Sequence, residues 1–352
     1  MISLQNTTKT LICIGSGGVG KTTMAASIAV GLATEGKKVL VLTIDPSMRL
    51  AQTLDISLSG DIEKVTLGAS AKGQLFASVI DHQKTFEWFI RSASASANTH
   101  ANVDALIKNK LYQQLSGRLS GSQDFTSLVS LYRHVQSGEY DLVILDTPPS
   151  QHTWNFLRAP EKIAMLFNAG VASWFRQNPD EKPGLLKRVL NVGTTQVLKA
   201  LETLTGSQFM KELSAFFRAV QKWEGPLENY ISNCHRVLTS STTEFVLVTA
   251  LDSSRLVEAQ KLSREILKHG YKLTSVVINR VPEWVHLSSA DLESLSPRLK
   301  ELIDYYQSLE NDLTSRLTQL KKSLNIYKCA ELRQNSENVE TLLQNHKQIR
   351  PI

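Results

Sequence analysis

Cysteine is scarce in this chain. Only three occur in 352 residues, Cys13, Cys234 and Cys329, and they lie far apart. There is no C-x-x-C pair, which removes a zinc site, a thioredoxin-type redox pair and a disulfide framework from consideration. The eight histidines follow no ligand spacing. No apolar run approaches the roughly 18 residues that a membrane-spanning helix needs. The opening stretch, Met1 to Lys9, lacks a signal-peptide layout, so the expected location is the cytoplasm. Charge blocks are missing too. The net charge is +6, but basic residues are scattered or paired, as in Lys37-Lys38, Lys187-Arg188 and Lys321-Lys322. That pattern reads as a solvated surface and not as a nucleic-acid face.

One stretch dominates what is present, Gly15-Ser-Gly-Gly-Val-Gly-Lys21-Thr22-Thr23. It matches G-x-x-x-x-G-K-[ST], the phosphate-binding loop, between a short apolar run (Leu11 to Ile14) and a small-residue helical pattern (Met24 to Ala33). Gly15, Gly17, Gly18 and Gly20 allow a tight turn, and with Val19 they aim successive backbone N–H groups at one point. The following helix adds its positive end there. Lys21 is placed to meet the β- and γ-phosphates, and the hydroxyl of Thr22 to meet Mg²⁺. No second copy of the loop occurs.

The rest of the chain alternates apolar runs with helical periodicity. Lys37 to Ile44 reads as a strand buried on both faces and ends at Asp45-Pro46. Proline disfavours helix at the residue before it, so Asp45 stands at the carboxyl end of that strand. Ligands of open α/β sheets bind along that edge. Residues 47–60 read as a short helix and turn, and Gln74 to Ile80 as a strand. Residues 84–135 read as mostly helical, interrupted by a loop over the small, polar Ser92 to Asn98. Tyr140 to Asp146 is an apolar strand closed by an acid, which beside a phosphate-binding loop marks a Walker-B carboxylate.

Residues 153–237 read as a helical insertion, with apolar positions such as Val197, Leu201 and Leu204, then Met210, Leu213 and Phe217, near helical spacing. Glu244 to Ala250 and Lys272 to Ile278 read as strands around a helix over 253–269 closed by Gly270. Apolar residues at steps of three or four from Leu292 to Leu324 predict a long helix with a narrow seam, either packed on its own domain or standing out as an arm within 288–324. A last strand, Asn325 to Cys329, precedes Ala330-Glu331 and a terminal helix. The expected fold is α/β, a P-loop NTPase with a mostly parallel sheet flanked by helices and a helical insertion.

Four stretches together resemble one family: Gly15 to Thr23, Thr43-Ile-Asp-Pro-Ser-Met-Arg-Leu-Ala51, Asp146-Thr-Pro-Pro-Ser-Gln-His-Thr153 and Val277-Ile-Asn279. They are similar to the ArsA/Get-type ATPases, which include the arsenical pump-driving ATPase and the ATPase that targets tail-anchored membrane proteins. Gly121 to Phe125 and Phe156 to Pro160 look most like the bacterial, single-unit branch. The resemblance covers most of residues 10–282 and, more weakly, 325–343.

It implies ATP and Mg²⁺ as cofactors and a dimer that opens and closes over ATP. It implies that Asp45 positions or activates the attacking water, and that Asp146 reaches Mg²⁺ through water. Asn279 would read adenine, with Ala330 and Glu331 in the loop that closes over the base. The insertion would be the client-binding region, taking a protein or an apolar, membrane-protein client.

The departures are informative. Where the family has Lys in G-K-G-G-V-G-K-T, acting across the dimer on the partner's ATP, this chain has Ser16. Either Arg49 supplies that charge, or hydrolysis is slow, or a sister subunit that keeps its lysine completes a heterodimer in place of a homodimer. The cysteine pair that holds zinc between targeting subunits is missing, so zinc is not expected. Soft metalloids need clustered thiolates, so arsenite drive is not expected either. The insertion holds only Met165 and Met210, few for an adaptable apolar groove. A ParA/MinD-like positioning switch is the alternative, but the mixed-charge tail Asn338 to Ile349 is a poor membrane anchor. An iron–sulfur component is a weaker one, because no cysteine follows a switch region.

Overall fold

The computed structural model describes residues 2–44, 49–96, 123–147, 150–161, 224–287, 292, 295–331 and 338–352. In chain order the described elements begin with β1 (Thr10–Gly15), α1 (Lys21–Thr34), β2 (Lys38–Thr43), α2 (Arg49–Leu54), β3 (Glu63–Val65) and β4 (Gln74–Val79). Then come α3 (His82–Ser96), α4 (Gln123–Ser137), β5 (Leu142–Asp146), α5 (Ser150–Leu157) and α6 (Glu224–Thr239). β6 (Thr243–Ala250), α7 (Ser253–Lys268), β7 (Leu273–Val281) and a 3-10 turn (Glu283–His286) follow. The chain closes with α8 (Pro297–Leu320), β8 (Asn325–Ala330), α9 (Val339–Lys347) and β9 (Ile349–Pro351). It divides into two compact units, residues 1–81, 130–157 and 235–352 in one, and 82–129 and 158–234 in the other.

The first unit is a nine-stranded sheet in the order β3-β4-β2-β5-β1-β6-β7-β8-β9. The seven inner strands are parallel, and β3 and β9 pair antiparallel at the edges. All six residues of β1 are buried. Side chains alternate between faces along a strand. Leu11, Cys13, Val39, Val41, Ile144, Val246 and Val248 join one apolar cluster with α1 and Leu342 of α9. Their neighbours Ile12, Ile14, Leu40, Leu42, Leu145 and Leu247 are buried as well. A strand covered on both faces gains about 1.5–3 kcal/mol from each large apolar side chain, which is why these runs carry no polar alternation.

From β1 the chain moves to β2 on one side, and from β6 it moves to β7 and β8 on the other. The connections diverge between β1 and β6, and a crevice opens at the carboxyl ends of the strands where such a divergence occurs.

Helix α1 is built of small residues and buried all round, with Met24 to Ala33 enclosed. Such a helix has a neighbour on every side. One neighbour is α9, whose Asn345 donates from Nδ2 to Ser27 Oγ at 3.1 Å and accepts at Oδ1 from the Cys329 thiol at 3.0 Å. His346, 2% exposed, lies over Gly31. Burial holds its imidazole pKa below the ordinary value, with Glu35 opposing. At the amino ends of the strands, the buried carboxylate of Glu244 accepts from Thr8 Oγ1 at 2.5 Å, from the Gln5 amide at 3.1 Å and from Thr274 Oγ1 at 2.9 Å.

In the second unit, Phe89 of α3 meets Phe125 and Tyr230 edge-on, with ring centroids 5.1 and 5.7 Å away. His82 Nδ1 lies 2.7 Å from Thr126 Oγ1. The loop expected at Ser92 to Asn98 is corrected as far as Ser96: these residues continue α3, and Ala93 and Ser94 are buried. Small residues there serve close packing, and alanine favours helix. Residues 97–98 lie outside the described residues, as does most of the insertion (162–223).

The spacing over 291–324 predicts one long helix, and the structure has it over Pro297–Leu320. Proline is suited to the first helical position, where its missing N–H costs nothing, so the helix starts there. Ile303, Glu310, Leu313 and Leu317 are its buried residues. Leu299 and Leu302, expected in the seam, are 47% and 41% exposed.

The α1–α9 contact makes a prediction. A Cβ on Gly31 would stand 2.2 Å from His346 Cδ2. Alanine raises helix propensity by about 1 kcal/mol over glycine, whereas overpacking a closed interface costs about 1–3 kcal/mol. With His346 enclosed, the clash wins, and Gly31→Ala lowers the urea midpoint. A raised midpoint contradicts the packing described.

Candidate functional site

The loop between β1 and α1 lies at the divergence between β1 and β6. Gly15 ends β1 with φ +154°, and a Cβ there would sit 2.1 Å from the Val248 carbonyl oxygen of β6. Only glycine permits that approach. Gly20 caps α1 in the left-handed region at φ 87°. Between them, Ser16 and Val19 are buried, Gly17 is half-buried and Gly18 is exposed. The loop therefore turns its backbone outward at the positive end of a 14-residue helix, the arrangement that favours anions.

Lys21 opens α1. It is 7% exposed, and its Nζ donates to the Ser16 carbonyl at 2.9 Å. The ammonium is thus held over the loop's own backbone. Thr22, next on the helix, donates from Oγ1 to Asp146 Oδ2 at 2.6 Å. Thr23 is half-buried.

Asp146 ends β5 and is 1% exposed. β5 lies between β1 and β2 in the sheet, so its last residue stands beside the ends of both. Thr43, the last residue of β2, donates to the same Oδ2 at 3.1 Å. Thr147 then ties the chain to β1, its Oγ1 donating to the Cys13 carbonyl at 2.7 Å. A buried carboxylate is costly unless hydrogen-bonded, and these two threonine hydroxyls serve one of its oxygens, Oδ2.

Asn279 lies near the end of β7, 5% exposed, and donates from Nδ2 to the Val19 carbonyl at 2.9 Å. Ala330 ends β8 opposite Val281, and the Glu331 amide donates to the Val281 carbonyl at 3.0 Å. Lys21, Thr22, Asp146 and Asn279 are therefore assembled around the loop, and Ala330 and Glu331 lie along the same edge. Asp45 lies outside the described residues. Arg49 begins α2, and its side chain is likewise outside them.

Two participants escaped sequence reading. Thr43 has no signal of its own, since threonine at a strand end is ordinary. The Val248 carbonyl against Gly15 belongs to a strand more than 200 residues later.

The arrangement fits a nucleotide triphosphate with a divalent cation. It offers backbone donors at a helix N-terminus, one ammonium, and a hydroxyl–carboxylate pair of hard oxygen donors. Comparison with known proteins agrees. Residues 8–312 match the family model described as anion-transporting ATPase. The chain belongs to this family, also called ArsA ATPase. It is 24% identical over 287 residues to the ATPase GET3 of Candida glabrata, covering 79% of this chain and 73% of that protein. Against the arsenical pump-driving ATPase of Acidiphilium multivorum it is 27% identical over 282 residues, 79% of this chain but 40% of that one. The ArsA/Get-type resemblance and the P-loop NTPase fold are borne out, and the chain is an ATP hydrolase by family.

The Thr22–Asp146 bond is testable without nucleotide. A hydrogen bond to a carboxylate contributes about 1.5–3 kcal/mol. Thr22→Val removes the hydroxyl at nearly constant volume and is expected to lose that amount in urea denaturation, while Thr22→Ser keeps most of it. Equal stability of the two variants contradicts the arrangement.

Proposed function

We propose that this ATPase is Mg²⁺-dependent and works as a nucleotide-switched dimer that handles a protein or apolar client. The observation that carries the reading is the convergence of Lys21, Thr22 and Asp146 at one loop. The backbone N–H groups of residues 17–22 and Lys21 would hold the phosphates. Thr22 would bind Mg²⁺, with Asp146 behind it through water. Mg²⁺ in such a site neutralises charge on the phosphates. Asp45 would orient the attacking water. The base would lie toward Asn279, Ala330 and Glu331. Catalysis of this kind is positioning and electrostatics.

Ser16 bears on the partner. It is neutral and 3% exposed, so this position offers no cation to a neighbouring subunit. Arg49 or a lysine from a sister subunit is left to supply charge at the transferring phosphate, and a heterodimer with unequal sites follows from the second. In a homodimer the burden falls on Arg49.

Arsenite drive finds no support in the thiols. All three cysteines are buried, and burial pushes Cys234 and Cys329 up to about 12 and Cys13 higher still. A soft metalloid needs thiolates, which burial suppresses. The membrane-positioning alternative needs a free amphipathic tail, yet α9 is packed on α1 through Leu342, Asn345 and His346. Among the described residues no helix is long and apolar enough to cross a membrane.

The test uses Asp45→Asn. This variant is expected to keep ATP affinity within a few-fold while hydrolysis falls by orders of magnitude, so that with ATP it accumulates as a dimer in light scattering. Affinity capture of that state identifies the second subunit and the client. Lost ATP binding would move Asp45 to the metal, and a monomer at saturating ATP would refute the switch. Arg49→Ala with unchanged single-turnover rate removes Arg49 as the source of charge.

A further inference from the structure

The end of β7 is irregular. It pairs in register with β8 up to Ile278 opposite Lys328, and the next pair is Val281 opposite Ala330. Three steps on β7 face two on β8, so β7 carries one extra residue at Asn279-Arg280. Arg280 has φ 56°, the left-handed region, and is exposed. A non-glycine residue there carries strain, and an exposed side chain gains no packing to offset it. Bulges of this kind re-aim a side chain and gather at functional sites.

The side chain re-aimed is that of Asn279. It enters the phosphate loop from the side, 5% exposed, with Nδ2 2.9 Å from the Val19 carbonyl. It fills the space a Cβ on Gly20 would take, 2.4 Å from that point. Asn279 therefore has a backbone partner in the loop without any base. The peptide is planar, so holding the Val19 carbonyl also fixes the direction of the Gly20 N–H, one of the donors the motif offers to phosphate. The amide retains Oδ1 as an acceptor, the atom suited to an exocyclic amino group.

We infer that Asn279 is a positioning residue of the phosphate loop, holding the Val19–Gly20 peptide through the bulge at the end of β7. This rests on the reading that the loop binds a triphosphate. One side chain then spans the base side and the phosphate side of the site. A base hydrogen-bonded at Oδ1 stiffens the amide that holds the cradle, so the enzyme answers to the base at the phosphates as well.

The test separates cradle from base. Amide hydrogen exchange over residues 17–22 is measured without nucleotide in the wild type, Asn279→Ala and Asn279→Asp. The aspartate matches asparagine in shape but turns an acceptor toward the Val19 carbonyl. Losing one net hydrogen bond corresponds to about fivefold to tenfold faster exchange, expected in both variants, with β1 exchange unchanged. Affinity for Mg²⁺-tripolyphosphate, which has no base, is expected to fall by a similar factor in Asn279→Ala. Arg280→Gly relieves the strain, keeps the bulge and is expected to leave loop exchange at the wild-type rate. If both Asn279 variants exchange as the wild type and only ATP affinity falls, Asn279 reads the base alone and the inference is wrong. If the wild type binds neither ATP nor tripolyphosphate, the nucleotide reading fails, while the exchange result still decides the tie.

Discussion

The carboxylate of Asp146 is the group on which the phosphate-binding edge depends. It is enclosed by protein and accepts from Thr22 at 2.6 Å and from Thr43 at 3.1 Å. Through those bonds the end of β5 is joined to the first turn of α1 and to the end of β2. An acid so buried is stable only while its donors stay in place, and one of them, Thr22, is the residue that would bind Mg²⁺ under the proposed function. The sheet carries a second buried acid, Glu244, near the start of β6. It meets Thr8, Thr274 and the Gln5 backbone and faces no such loop. The contrast follows the polarity of a parallel sheet, whose ligands bind along the carboxyl ends of the strands.

The strands around β1 act as a frame for the loop. Gly15 touches the carbonyl of Val248, Thr147 reaches back to Cys13, and Asn279 reaches in from β7. Helix α1 is fixed from behind by α9, with His346 against Gly31. The loop is thus held by β5, β6, β7 and the C-terminal helix together, although the motif itself is only nine residues of sequence. The freedom of so glycine-rich a segment is limited here by neighbours more than by its own side chains.

Much of this was legible in the sequence, for a physical reason. Inner parallel strands are buried on both faces and read as unbroken apolar runs, so β1, β2, β5 and β6 stood out. The edges did not. Glu63-Lys64-Val65 and Ile349-Arg350-Pro351 each bury one side chain, too little to leave a pattern. Ser92 to Ser96 misled because small polar residues mark loops more often than packed helix. Lys21, Thr22 and Asp146 were visible because a contiguous motif and a strand-end acid carry them. Thr43 and the Asn279–Val19 bond were not, since their partners lie 103 and 260 residues away in the chain. The bulge at Arg280 left no trace either, because arginine has no preference for its backbone conformation.

The account stands or falls on whether this loop takes ATP through Lys21. Calorimetric titration of the wild-type chain and of Lys21→Ala with ATP, each with and without Mg²⁺, measures this directly. The account predicts one ATP per chain, tighter with Mg²⁺ than without, and no measurable binding in Lys21→Ala. ATP bound equally well by both proteins, or by neither, would contradict it.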